Sequence, residues 1–275
     1  MRQHRNDALI IEGRVGLAND GIELQDVSFG YPGQAHAALD RVSLRLPAGA
    51  TVALVGDNGA GKTTLVKLLG RYYTPTAGTI RVDGVPLDEL DAEPWRACLS
   101  GVFQDYARLE LMARESVGVG HLPDLEREAA VRHALERAAA SALAERWPDG
   151  LATQLGVTFP GGVELSGGQW QQVALARAMM RRRPLLLVLD EPAAALDPEA
   201  EHELFARYAA AAKQAAATNG AITLLVSHRF STVRAADLIA VLDRGRLIEF
   251  GTHAALLARG GTYAELFSLQ ARAYG

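Results

Sequence analysis

The chain has 275 residues, 49% of them hydrophobic and 22% charged, enough for one large domain or two small ones with an ample core. A net charge of −4 gives no reason to expect a nucleic-acid partner, and the single cysteine, Cys98, excludes an intrachain disulfide and fits a reducing compartment. No apolar run is long enough to span a membrane, and Met1-Arg2-Gln3-His4-Arg5 lacks the apolar core of a signal peptide, so the chain is expected to be soluble by itself.

Residues 1–20 keep no sustained period and predict an arm or linker. Ile22 to Phe29 predicts a strand whose alternation slips near Asp26, the mark of a bulge. Gly30-Tyr31-Pro32-Gly33 breaks it. Val42, Leu44 and Leu46 alternate with Arg41, Ser43 and Arg45, a strand with one wet face. Pro47-Ala48-Gly49 then turns into the apolar run Thr51 to Val55. Next comes Gly56-Asp57-Asn58-Gly59-Ala60-Gly61-Lys62-Thr63-Thr64, followed by the helical pattern Leu65, Val66, Leu68, Leu69. Strand, glycine-rich loop and helix in that order make G-x-x-x-x-G-K-[ST] a phosphate site. Gly56, Gly59 and Gly61 let the backbone turn where a Cβ would clash, so successive N–H groups can point inward at an anion. The helix start adds its unpaired N–H groups and the positive end of its dipole. Lys62 is placed to reach the outer phosphates, Thr63 to hold Mg²⁺ and Thr64 to bond an inner phosphate. A chance glycine turn is the bland alternative. Against it, Lys62 is one of three lysines beside 25 arginines, and it falls where the motif needs a lysine.

Ile80 and Val82 before Asp83-Gly84 predict a hairpin edge, so the first hundred residues mix a small antiparallel sheet with the start of a parallel one. From about Asp105 to Met180 the pattern is helical. Val131, Ala134, Leu135 and Ala138 line one face, with Asp124 as cap and Glu128–Arg132 and Arg132–Glu136 pairs outside. Gly161-Gly162 interrupts, and a second helix is predicted from Gln169 to Arg182, closed by the cations Arg181, Arg182 and Arg183. Leu185 to Leu189 and Ile222 to Val226 read as strands buried on both faces, joined by an Ala-rich helix from Glu199 to Ala217. Leu238 to Leu242, a turn at Asp243-Arg244-Gly245 and Leu247 to Phe250 predict a closing hairpin before a short helical tail. No internal repeat appears, which points to one domain with an inserted helical lobe. Asp190 ends a buried strand at the edge where ligands sit in open α/β sheets, a position suited to holding Mg²⁺. Glu191 points elsewhere along the strand and is placed to polarise a water attacking a γ-phosphate. Alone, the two carboxylates read equally well as a solvated strand end; the phosphate loop tips the balance.

Leu165-Ser166-Gly167-Gly168-Gln169, just before a helix and ahead of the acidic strand, resembles the signature of the ATP-binding-cassette (ABC) ATPases, and the resemblance covers residues 21 to about 270. It implies a P-loop NTPase core with a mostly parallel sheet, an N-terminal antiparallel β subdomain and a helical subdomain inserted at about 105–180, within a nucleotide-binding domain of residues 21–275. It implies ATP and Mg²⁺ as ligands. Tyr31 matches the aromatic that stacks on adenine, and Gln104 the glutamine that contacts Mg²⁺ and the attacking water. Asp197, after Leu196, matches the loop that crosses between subunits, and His228 the switch histidine that reaches the γ-phosphate. Singly, each has a bland reading: a turn aromatic, a surface amide, a polar group at a strand end. Two such cassettes pair head to tail, with Ser166, Gly167, Gly168 and Gln169 of one facing ATP held by the other. Glycine N–H groups, a serine hydroxyl and a helix N-terminus suit an anion.

Ser227-His228-Arg229-Phe230-Ser231-Thr232-Val233, Gly251-Thr252-His253 and Gly261-Thr262-Tyr263-Ala264-Glu265-Leu266-Phe267 resemble the exporter branch. That branch implies transmembrane domains on the same or a separate chain, a second cassette as homodimer or heterodimer partner, and a place on the cytoplasmic face of the membrane. Departures exist. Gly156-Val157-Thr158-Phe159-Pro160-Gly161-Gly162 stands where exporters carry Gly-Glu-Arg-Gly, and Ala193-Ala194-Ala195 where Thr-Ser-Ala is common; Trp170 and Gln172 replace frequent arginines. None removes a phosphate, Mg²⁺ or water contact, so ATP hydrolysis is expected. The alternatives are a soluble cassette acting on a ribosome or nucleic acid, and a nucleotide-gated module without turnover.

Overall fold

The computed structural model describes residues 20–34, 36–103, 105–190, 216–217, 220–227 and 230–274. The chain divides into two compact units, one of residues 1–99, 183–188 and 212–275, the other of 100–182 and 189–211.

In the first unit, strands β1 (Ile22–Phe29), β2 (Leu39–Leu46), β4 (Ala77–Val82) and β5 (Val85–Pro86) form a small antiparallel sheet of order β2-β1-β4-β5. The expected slip is present: the β1–β2 register shifts between Leu24 and Val27, and Asp26 adopts a φ of 48°. Asp26 is held there by Ser43, whose hydroxyl donates to its carboxylate (3.1 Å) and accepts from its N–H (2.9 Å). Asp83-Gly84 makes the predicted tight turn with φ of 46° and 79°, the positive pair that a two-residue hairpin demands.

The larger sheet has the order β10-β9-β3-β8-β7-β6, with β3 spanning Thr51–Val55, β6 Leu99–Val102, β7 Leu186–Asp190, β8 Ile222–Val226, β9 Leu238–Asp243 and β10 Arg246–Gly251. β3 pairs in parallel with both β8 and β9, and β10 closes the edge antiparallel to β9. β7 and β8 are buried along their whole length, which is why they read as unbroken apolar runs rather than alternating ones. The helix α1 (Lys62–Leu69) follows β3, and its orphan carbonyls find donors on α2 (Ala92–Ala97). The buried Trp95 Nε1 donates to Leu69 O at 2.7 Å, and Arg96 donates to the Gly70 and Arg71 carbonyls.

In the second unit, α3 (Ala113–Gly118), α4 (Glu128–Arg137), α5 (Ser141–Ala144) and α6 (Gly167–Met179) surround a core of Val117, Val131, Leu135, Trp170, Val173 and Leu175. The expected apolar face of α4 is the buried one, and Glu128 pairs with Arg132 at 2.7 Å. Three local expectations change. Asp124 does not cap α4; its carboxylate is taken by Arg127 (2.7 Å) and His121 (3.1 Å). α6 starts at Gly167, two residues early, because Ser166 supplies the cap. It ends at Met179, whose carbonyl accepts from Arg137, while Arg181 donates to Gly120 O. The expected helix from Glu199 lies outside the described residues up to 215.

The first unit ends in α7 (Phe230–Val233), α8 (His253–Arg259) and α9 (Thr262–Tyr274). Val233, Ala236, Leu256 and the fully buried Tyr263 pack with Ala53, Val55, Ile239 and Val241, so the strand leading to the phosphate loop rests on the C-terminal helices.

Candidate functional site

The loop from Gly56 to Gly61 is held from behind by backbone. Gly56 and Gly61 have φ of 152° and 105°; a Cβ on Gly56 would strike the Leu242 carbonyl oxygen, and one on Gly61 would lie 2.7 Å from the Ala38 carbonyl oxygen. Both glycines are therefore required by close approach as well as by conformation. The turn before β10 forms a platform under the loop: Gly245 N–H donates to Ala60 O (3.1 Å), and Asp40 N–H to Gly245 O (2.8 Å). Arg246 clamps that platform with two N–H groups on one Asp40 carboxylate oxygen, at 2.8 and 2.5 Å. The same guanidinium holds the Asp40 carboxyl below the usual carboxylate range. Sequence reading missed Asp40 and Arg246. They are distant in the chain, and nothing local marks them as partners.

From this platform the loop presents its own donors. Asp57, Asn58 and Gly59 are exposed, Ala60 is buried, and α1 begins at Lys62, whose first N–H groups have no partner within the helix. The Lys62 ammonium reaches back across the loop to Gly56 O (2.6 Å) and Asp57 O (2.9 Å), which sets a full positive charge beside the helix's positive end. Thr63 is exposed in the first turn; Thr64 is buried, with its hydroxyl 3.3 Å from the Tyr31 hydroxyl. Tyr31 meets Phe29 and Tyr73 edge to face at 5.0 and 5.4 Å, with Lys67 Nζ 5.8 Å from its ring centre. Tyr31, Thr64 and the phosphate loop are thus brought together.

In the second unit, Ser166 caps α6 through a reciprocal capping box: Gln169 N–H donates to Ser166 Oγ (3.3 Å), and Ser166 N–H to Gln169 Oε1 (2.8 Å). Gln169, expected to face a ligand, commits its amide oxygen to this cap. Gly167 is exposed, and a Cβ built on it meets nothing within 4 Å. Asp190 is buried as the last residue of β7. Gln104, Glu191, Asp197 and His228 lie outside the described residues.

Among the described residues no group of three His, Cys, Asp or Glu side chains gathers as a metal site. That is compatible with Mg²⁺, which takes few protein oxygens and keeps its waters and the phosphates of its substrate. Among the same residues no helix is long and apolar enough to cross a membrane.

Residues 39–194 match the family model described as ABC transporter. The chain is 41% identical over 253 residues to the ATP-dependent lipid A-core flippase of Burkholderia orbicola (strain AU 1054), covering 92% of this chain and 40% of that protein. It is 36% identical over 245 residues to the subtilin transport ATP-binding protein SpaT of Bacillus subtilis, covering 89% of this chain and 39% of that one. Among solved structures it is similar to a bacterial Atm1-family ABC exporter with ATP bound, with a TM-score of 0.83 and 34% identity over 93% of this chain and 42% of that one. The chain thus spans about two-fifths of the length of the proteins it matches.

Proposed function

Because this chain belongs to the ABC transporter family as an ATP-binding cassette of the exporter type, we propose that it hydrolyses ATP between two paired cassettes and thereby powers export across a membrane. Residues 21–275 make up the nucleotide-binding domain in this proposal, with the helical subdomain inserted at about 105–180 and residues 1–20 as an arm. Gly56 to Thr64 cradle the phosphates with backbone N–H groups, Lys62 supplies charge to the outer ones, and Tyr31 stacks on adenine. Thr63, Gln104 and Asp190 would hold Mg²⁺, which would supply neutralising charge on the phosphate oxygens. Glu191 accepts the proton of the attacking water; Gln104 orients that water, and His228 donates to the γ-phosphate.

One observation carries the pairing. Gly167 is a helical residue with negative φ and open space where its Cβ would point, so nothing among the described residues requires a glycine there. Alanine there would favour the helix. A bare backbone is explained if something from outside approaches it closely, and the flanking cap and helix dipole select an anion. ATP held by one cassette and touched by Ser166, Gly167 and Gly168 of another, with Asp197 crossing between them, meets that requirement. Binding closes the pair, and hydrolysis with phosphate release opens it.

The exporter role is supported by the similarity to the ATP-dependent lipid A-core flippase and to the subtilin transport ATP-binding protein. Transmembrane domains, on the same or a separate chain, are the proposed partners, and the cytoplasmic face of the membrane the proposed location. Glu191→Gln tests the core of this. With ATP and Mg²⁺ the variant should elute from a sizing column as a lasting dimer without releasing phosphate; a variant that binds ATP yet stays monomeric sinks the pairing.

A further inference from the structure

The stretch 106–111 has no regular secondary structure, yet its carbonyls are met one after another by donors from the second unit. Arg177, on α6, donates to Ala107 O (3.1 Å) and Ser116 O (2.8 Å); the Ser116 hydroxyl donates to Leu109 O (2.8 Å). Gln154 Nε2 donates to Glu110 O (2.9 Å), and Leu155 N–H to Leu111 O (3.0 Å). Arg177 is half-buried, and desolvation lowers its pKa from the ordinary value. At the other end of α6, Tyr106 donates its hydroxyl to the carbonyl of Gly167 at 2.8 Å. The stretch is therefore a strap along α6, pinned near the helix's last turn by Arg177 and at its first residue by Tyr106.

We propose that Tyr106 is a positioning residue that fixes the first turn of α6 and so aims the N–H groups of the signature glycines. A helix that opens on Gly167-Gly168 has little side chain to hold its first turn, and helix ends open most readily. The Ser166–Gln169 box fixes the cap residue from one side. The Tyr106 hydroxyl fixes the Gly167 peptide plane from the other, and that plane also carries the N–H of Gly168. Tyr106 touches no substrate in this account. It rests on the proposed pairing only for its effect on ATP; the ordering of the helix start is a property of the single chain.

The test uses the full chain carrying Glu191→Gln, with and without Tyr106→Phe, which removes one oxygen and keeps the ring. Amide hydrogen exchange over Gly168 to Gln171 should quicken by about threefold, the scale of one modest hydrogen bond. The protein concentration for half-maximal ATP-dependent dimerisation should rise by roughly tenfold, since each dimer holds two such contacts. ATP affinity of the dilute monomer should not change, because the phosphate loop is untouched. Failure of the Tyr106-containing protein to dimerise removes the pairing and leaves Tyr106 to be judged by exchange alone. Unchanged exchange overturns the proposal, as does a dimerisation midpoint that stays put, or a loss of monomer ATP affinity that points to general damage.

Discussion

Lys62 illustrates how a residue's role depends on its surroundings. Its ammonium lies on the carbonyls of Gly56 and Asp57, folded back over the loop that precedes its own helix. Removing it deletes the only full charge in that loop that favours phosphate. Lys62→Ala should weaken ATP binding by on the order of 10- to 100-fold, the worth of a charge-assisted hydrogen bond, with little change in far-UV circular dichroism. Nucleotide titration measures it, and unchanged affinity would place the phosphates elsewhere. His253 is a second case. Its Nδ1 shares a 2.7 Å hydrogen bond with the hydroxyl of the buried Tyr263, whose pKa is pushed up to about 12 by desolvation, so the phenol keeps its proton at neutral pH. Desolvation, then the charge of Arg234, lowers the His253 pKa from its ordinary 6.5. The unfolded chain therefore takes up a proton before the folded one does. Stability from this site is whole above about pH 6.5 and declines as pH falls through the lowered folded value. Thermal unfolding of the parent should show a larger loss of Tm on acidification from pH 7.5 to 5.5 than His253→Asn does; equal losses would remove His253 from the account.

At the scale of elements, the phosphate loop is positioned by a strand that is itself seated on the C-terminal helices. Leu256, on α8, is fully buried in the cluster with Val55, Val233, Ile239 and Tyr263. Leu256→Ala leaves a cavity there and should cost about 2–5 kcal/mol, read as a lower denaturation midpoint with an unchanged m-value. The cost falls on β3 and β9 together, the two strands that flank the start of the loop. α1 shows the same dependence at its other end. Its last carbonyls are satisfied by Trp95 and Arg96 from α2, so its orientation is set by a helix about thirty positions further along the chain. α6 is braced in a different way, by a strap of irregular backbone rather than by a neighbouring helix alone.

For the whole molecule, the pairing proposal makes a kinetic statement. If each catalytic site is completed by a second cassette, turnover per molecule must fall as the protein is diluted below its dimerisation midpoint, while ATP binding to the monomer persists. Phosphate release followed across a dilution series, with the oligomeric state measured in parallel, should show the two falling together. Constant specific activity in a protein that is monomeric throughout would end the two-chain model.

Short-range patterns were enough to find the glycine-rich loop between strand and helix, the strand preceding it, the bulge at Asp26, the tight turn at Asp83-Gly84 and the two unbroken strands β7 and β8. Each is written in residues adjacent in the chain, where backbone conformation and burial act directly on composition. The signature stretch was recognised through its resemblance to a family motif, while Ser166 as the cap of α6 came from the structure. Contacts between distant segments were not. The Arg246–Asp40 clamp under the loop joins residues 206 positions apart, the Tyr106–Gly167 bond residues 61 apart, and the Arg137–Met179 bond at the end of α6 residues 42 apart. A surface arginine or a loop tyrosine looks the same in sequence whether or not a carbonyl waits across the fold. Only the tertiary structure decides which of them is used, because a hydrogen bond depends on distance in space and carries no period along the chain.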